Sequence, residues 1–172
     1  MTSTPFQVVP LNHEHDRASF TSGTESLDGY FRQHVSQDIR RRVTACFVAL
    51  SEEQRIAGFY TLASTSVLLN DLPEPLGKKL PRYPLLPAVR MGRLAVDLNF
   101  RGIGLGGALL ADAFTRTLRS EIAAYALVVD AKDDSAAAFY RHHGMIPFSN
   151  QPLTLFLPLA TARKITGIRR SG

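Results

Sequence analysis

Apolar residues fall into short blocks separated by turn residues over the first part of the chain, and into longer helical stripes later. Phe6 to Leu11 reads as a first strand. Ser22 and Glu25 have the spacing of a capping box, and Leu27, Tyr30, Phe31, His34 and Val35 behind them recur at helical intervals, so a helix is expected to run toward the arginines at 40–42. Ala45 to Leu50 and Ile56 to Leu62 flank the polar Ser51-Glu52-Glu53-Gln54-Arg55, which is the pattern of a hairpin. Leu72 to Pro87 is proline-rich and predicts a fixed irregular loop. Met91 to Asp97 is a further strand candidate. A glycine-rich turn comes after it, then a helix with Leu109, Leu110, Ala113, Phe114, Thr117 and Leu118 on one face. Ala126 to Ala131 fits a buried strand, Asp133, Asp134 or Ser135 can cap the next helix, Gly144 can end it in the left-handed conformation, and Leu153 to Leu159 supplies a late strand. Hairpin-linked strands followed by helix-separated strands imply a mixed sheet with helices on its faces, the α+β class. With no internal repeat and no long linker, residues 1–172 are expected to form one domain, 163–172 being a flexible basic tail.

Composition changes this picture little. The 172 residues are 45% hydrophobic, enough for a core without disulfides or a structural metal. The lone cysteine, Cys46, sits inside an apolar run, so no disulfide framework and no cysteine-based zinc site is available; the expectation is no metal at all. No stretch approaches the roughly 18 apolar residues of a membrane span and no signal segment opens the chain, which makes a reducing cytoplasm the default. Charge says more. Twenty lysines and arginines against 15 acids leave a formal charge of +5, compatible with an anionic partner. The bases collect at 40–42, at Lys78, Lys79 and Arg82, at Arg90, Arg93 and Arg101, and in the tail. A solvated surface is the plain reading of most of them.

The chemistry lies in the glycine-rich turn. Gly102, Gly104 and Gly106 alternate with Ile103 and Leu105, so one edge of the loop is bare and backbone N–H groups can converge on an anion, beside the positive end of the following helix. Arg101 can add a charge-assisted contact. A Walker loop would need Gly-Lys before Ser or Thr, but Gly106 is followed by Gly107 and Ala108. A dinucleotide fingerprint would need glycines at the first, third and sixth positions after an early strand, and here they fall at the first, third and fifth, late in the chain. A pyrophosphate of another kind remains, as does a turn that serves only packing.

Gly92-Arg93-Leu94-Ala95-Val96 followed by Arg101-Gly102-Ile103-Gly104-Leu105-Gly106 resembles the Arg/Gln-x-x-Gly-x-Gly/Ala acetyl-CoA motif of the GNAT acetyltransferases. Downstream, Asp133-x-x-Ala136-x-x-x-Tyr140 resembles that family's Asn-x-x-Ala-x-x-x-Tyr helix, with Asp133 in the place of asparagine. Leu27-Asp28-x-Tyr30, Gly58-Phe59-Tyr60-Thr61-Leu62, Lys79-Leu80-Pro81-Arg82-Tyr83-Pro84 and Phe139-Tyr140 are closer still to the GNAT-type toxins of bacterial toxin-antitoxin modules. The resemblance implies a mixed, mostly antiparallel sheet with helices on both faces, whose splayed strand pair holds acetyl-CoA. It places the pantetheine arm on the main chain of Leu94, Ala95 and Val96, the pyrophosphate on Arg101 to Gly106, and a further cofactor contact at Asp133. It also implies an N-acetyltransferase that acetylates the α-amine of an aminoacyl-tRNA, a ribbon-helix-helix antitoxin that reaches operator DNA, and a homodimer.

The same resemblance makes Tyr140 the acid that protonates the departing thiolate. A phenol of pKa about 10 is fully protonated at neutral pH but less acidic than a thiol near 8.5, so the transfer depends on geometry. No carboxylate or histidine stands out as a base: His13 and His15 read as loop residues, His142 and His143 as helix surface. An α-amino group of pKa about 8 is already part neutral, unlike a lysine near 10.4, so the free amine is available for attack without one, and whether a base exists stays open. The resemblance, which sets the proline loop and the strand start near the reacting end, makes Lys78, Lys79, Arg82, Arg90 and Arg93 the expected phosphate contacts for the RNA. The alternatives are the same enzyme acting on a small amine or a protein N-terminus, and a module that binds coenzyme A without turnover.

Overall fold

The computed structural model describes residues 6–161; the expected basic tail lies outside them. A seven-stranded sheet has the order β1-β2-β3-β4-β5-β7-β6. The strands are β1 (Gln7–Pro10), β2 (Ala45–Leu50), β3 (Ile56–Leu68), β4 (Leu85–Val96), β5 (Ala126–Asp130), β6 (Ile146–Phe148) and β7 (Gln151–Pro158). The helices are α1 (Glu25–Gln33), α2 (Val35–Arg40), α3 (Glu74–Gly77), α4 (Leu105–Arg119) and α5 (Asp134–His142). β4 and β5 run parallel, while β1 with β2, β2 with β3, β5 with β7 and β6 with β7 run antiparallel. The chain divides into two compact units, one made of the chain through Ala63 with Gly92–Ala113, the other of Ser64–Met91 with the chain from Phe114 on.

In the first unit the expected hairpin is present. Gln54, at φ 63°, turns the chain, and its N–H reaches the Ser51 carbonyl at 2.9 Å. The core of this unit stacks Phe31 on Phe59 with ring centroids 4.1 Å apart, and Phe20 meets both edge-on. Each of these rings is fully buried, a gain of roughly 1.5–3 kcal/mol apiece. The single helix expected after Ser22 is two, because His34 leaves the helical region at φ −120° and joins α1 to α2. The capping box does not form either. Thr24 is the N-cap and makes no side-chain cap bond, while the Ser22 hydroxyl donates to buried Asp28 at 2.6 Å. A carboxylate at the start of α1 binds the incoming chain more strongly than a hydroxyl, which explains the exchange.

The second unit also refines the expectation. The proline-rich stretch begins with a 3-10 turn at Leu69–Asp71 and the short α3, and β4 starts within it at Leu85. Leu72 and Leu86 pack with Ala88, Ala126, Val128, Phe148 and Phe156, and partly buried Leu76 and Leu80 join them. Alternation along β5 and β7 sends Leu127, Val129, Leu155 and Leu157 to the opposite face. α5 packs on β7. Asp133 caps α5, its carboxylate accepting from the Ala136 N–H at 2.8 Å, and Gly144 follows the helix at φ 91°. β6 is too short for its period to show in sequence.

Gly58 carries one constraint on the first unit. A Cβ placed there would stand 2.8 Å from Leu109 Cδ1 and 3.0 Å from the Ala95 carbonyl oxygen. The backbone oxygen cannot move aside cheaply. Gly58→Ala is therefore expected to destabilise the protein by about 1–3 kcal/mol, measured as a lower urea midpoint at unchanged slope; an unaltered midpoint would show that α4 and β4 adjust freely.

Candidate functional site

In the first unit, alternate residues of β4 face β3. The Arg93 N–H donates to the Thr61 hydroxyl at 3.1 Å, the Ala95 carbonyl lies against Gly58, and the Asp97 N–H donates to the Ala57 carbonyl at 2.8 Å. Successive peptide groups of a strand point to opposite edges, so the main chain of Leu94 and Val96 is turned to the other edge. The pairs of the β4–β5 ladder run from Ala88 with Ala126 to Met91 with Val129, and β4 continues from Gly92 to Val96. Leu94 and Val96 are half-buried and Ala95 is buried in the aromatic core.

Asp97, fully buried, anchors the end of the strand. Its carboxylate accepts from the N–H of Thr21 at 3.0 Å and from that of Asn99 at 2.9 Å. A 3-10 turn, Leu98–Phe100, leads to an exposed loop of Arg101, Gly102, Ile103 and Gly104, and α4 begins at Leu105. Gly102 and Gly104 lie at φ 77° and 81°, a region L-residues rarely adopt, and a Cβ on either would meet no protein atom within 4 Å. The protein thus asks for glycine through backbone conformation, and the space over both residues is open for a ligand. Gly106 stands half-buried in the first turn of α4. Arg101 turns its guanidinium onto the Ser22 carbonyl, which ties the loop to the segment before α1. Arg93 lies 3.4 Å over the ring of Tyr30, whose hydroxyl donates to Asp38 at 2.7 Å.

In the second unit Tyr140 is 7% exposed on α5. Burial, and then the negative charge of Asp130, push its phenol up to about 12. Asp130, at the end of β5, pairs with Arg90 and accepts from the Thr154 hydroxyl at 3.1 Å. His143 packs against Phe139 with ring centroids 4.7 Å apart, and burial lowers its pKa. Lys78, Lys79 and Arg82 are exposed just after α3, and Tyr83 beside them is 65% exposed. Lys78 pairs with Glu74 at 3.0 Å, an ion pair so open to water that it holds the lysine only weakly. Arg90 and Arg93, expected at an RNA backbone, are engaged on Asp130 and on Tyr30. Three acids have structural parts that the sequence reading does not assign: Asp28, Asp97 and Asp130. Only Asp97 carried a local signal, its place two residues before Asn99 being that of a turn-forming aspartate.

The model of the acetyltransferase (GNAT) domain matches residues 42–145, more than half the chain. The chain belongs to the GNAT acetyltransferases. This GNAT protein is 37% identical over 154 residues to a Mycobacterium tuberculosis protein named tRNA-acetylating toxin, with 88% of this chain and 91% of that one covered. The solved structure of AtaT complexed with acetyl-methionyl-tRNAfMet covers 93% of this chain and 98% of its own, at 26% identity and TM-score 0.86. That of AtaTR bound with AcCoA covers 94% and 98%, at 25% identity and TM-score 0.81. The enzyme is accordingly an N-acetyltransferase that uses acetyl-CoA. Among its described residues no helix is long and apolar enough to cross a membrane.

Tyr140 is expected to keep its proton through the range around 10 where an ordinary tyrosine ionises. The NMR signal of its labelled ring carbon, identified by its loss in Tyr140→Phe, should stay constant there and titrate earlier in Asp130→Asn, since removing a negative charge favours the phenolate. A normal titration in the native protein would contradict the burial of this group.

Proposed function

We propose that this enzyme transfers the acetyl group of acetyl-CoA to the α-amine of an aminoacyl-tRNA and so halts translation as the toxin of a toxin-antitoxin pair. The observation that carries the RNA half of this reading is the exposed loop Lys78, Lys79, Arg82 and Tyr83, three cations beside an open aromatic ring. Cations of this kind gain affinity by releasing counterions from a phosphate backbone, and an exposed ring offers a face for a base. The name tRNA-acetylating toxin, borne by a relative that matches nearly the whole chain, points the same way. Arg90 and Arg93 serve first inside their own units, and phosphate contact is their second duty.

Within this reading the main chain of Leu94, Ala95 and Val96 takes the pantetheine arm, for which Leu94 and Val96 have an edge turned away from β3. The open glycine loop from Arg101 to Gly106 takes the pyrophosphate, and Arg101 acts chiefly by holding that loop. Asp133 caps α5, the helix that carries Tyr140, through one carboxylate oxygen, and its other oxygen is the one to make the cofactor contact. Tyr140 gives its proton to the coenzyme A sulfur as the thioester breaks. A phenol at about 12 is a weak acid beside a thiol near 8.5, so it serves as a donor positioned for the moment of cleavage and regains its proton at once. Residues 1–172 act as one acetyltransferase domain in the cytoplasm, as a homodimer. A ribbon-helix-helix antitoxin neutralises it and brings the pair to operator DNA.

Three outcomes are expected. Tyr140→Phe keeps the ring and should lower turnover about 10²-fold or more while acetyl-CoA affinity by calorimetry stays close to native; native turnover would remove Tyr140 from the chemistry. Gly104→Glu sets bulk and negative charge into the open space of the loop. It should abolish acetyl-CoA binding with the circular dichroism spectrum retained, and unchanged affinity would place the pyrophosphate elsewhere. For tRNA, the logarithm of affinity should fall steeply with that of salt, and Lys78→Glu with Lys79→Glu should flatten the slope by about 0.7–0.9 per lost phosphate contact. A slope indifferent to both lysines would favour a small-amine substrate.

A further inference from the structure

The second unit holds a cleft of about 200 Å³, walled by Val67, Val128 and Phe148 and rimmed by Ser66, Arg90 and Thr154. Two of those rim residues, Arg90 and Thr154, are the side chains that hold Asp130, one on each carboxylate oxygen. Each oxygen of a carboxylate has two acceptor sites, so one on each oxygen is left over. The Asp130 side chain is 49% exposed and that of Arg90 36%, and an ion pair so open to water contributes little to folding. Folding therefore does not account for the arrangement. It fixes the direction of a carboxylate at the end of a strand, beside a cleft of mixed polar and apolar lining, with the proposed acid Tyr140 close enough to feel its charge.

We infer that Asp130 is a second catalytic residue: its carboxylate accepts a hydrogen bond from the acceptor amine and takes the proton that the nitrogen sheds as the N–C bond forms, while the cleft receives the aminoacyl side chain. The inference rests on the proposed acyl transfer and supplies the base that the sequence left unassigned. The neutral amine attacks the thioester carbonyl, and its nitrogen becomes strongly acidic as it acquires positive charge. Asp130, a poor base toward a free ammonium, is strong enough for that proton. When the C–S bond breaks, its electron pair goes to sulfur, which takes the Tyr140 proton. The proton on Asp130 then passes through water to the Tyr140 phenolate, and both residues return to their starting forms. The balance is one amine and one thioester in, one amide and one thiol out. Arg90 and Thr154 position the carboxylate. The two histidines of α5 are not needed, and His143 is turned to Phe139.

Asp130→Ala removes the base and leaves a space that formate can fill. With charged tRNA as substrate, kcat is expected to fall about 10²-fold or more while KM for tRNA and acetyl-CoA affinity change little, and added formate should restore kcat about 10-fold. Asp130→Asn keeps the shape without the base and should lose as much kcat with no rescue. Near-native kcat in either variant would overturn the inference, as would an alanine loss that formate fails to restore while acetyl-CoA still binds. If the alanine variant no longer binds acetyl-CoA, the asparagine variant decides on its kcat alone. Native protein that transfers nothing to charged tRNA would defeat the functional reading itself, an outcome separate from native activity that ignores Asp130.

Discussion

Arg93 and, just past the end of β4, Asp97 donate to β3 while the Ala95 carbonyl stands against Gly58, and the cofactor half of the candidate site, in the first unit, depends on that alternation. It requires β3 to come close, which Gly58 permits by having no side chain in the way of the Ala95 carbonyl and Leu109. It leaves the main chain of Leu94 and Val96 with an edge that β3 does not use. At the end of the strand the buried Asp97 carboxylate gathers the N–H groups of Thr21 and Asn99, so the glycine loop begins from a fixed point. An exposed loop with two left-handed glycines would otherwise be loosely held, and an anion site made of backbone groups works only if they are preorganised.

The second unit solves a different problem, the placement of titrating groups. Tyr140 is buried on α5, a helix whose first turn is fixed by the Asp133 cap. Burial keeps the phenol neutral, and the nearby charge of Asp130 reinforces this. The same carboxylate is held on both oxygens by Arg90 and Thr154. The phenol is thus kept protonated by burial, while the direction of the carboxylate is fixed by the Arg90 and Thr154 contacts.

Much of this was legible in the residues themselves. The hairpin of β2 and β3, the glycine turn before α4 and the Asp133 cap are local patterns, and local patterns survive folding. The break between α1 and α2 at His34 was not visible, because the apolar stripe continues unbroken across it. The displaced capping box depended on Asp28, six residues beyond Ser22, and β4 began earlier than its apolar run because Leu86 and Ala88 are separated by exposed Pro87. Asp130 was hidden for a different reason. Its partners Arg90 and Thr154 lie 40 and 24 positions away, and nothing in one aspartate at the end of an apolar strand shows what it will face. Arg90 and Arg93 looked like free cations for the same reason, since Asp130 and Tyr30 come to them only in the fold.

The central claim is that the basic loop and the acetyl-transfer residues serve one substrate, a charged tRNA. The most direct measurement is incubation of the native protein with labelled acetyl-CoA and total charged tRNA, followed by digestion and mass spectrometry of the aminoacyl ends. The account predicts N-acetylated aminoacyl esters, with the label absent from uncharged tRNA. Label found only on a small amine or a protein N-terminus, with charged tRNA untouched, would contradict it.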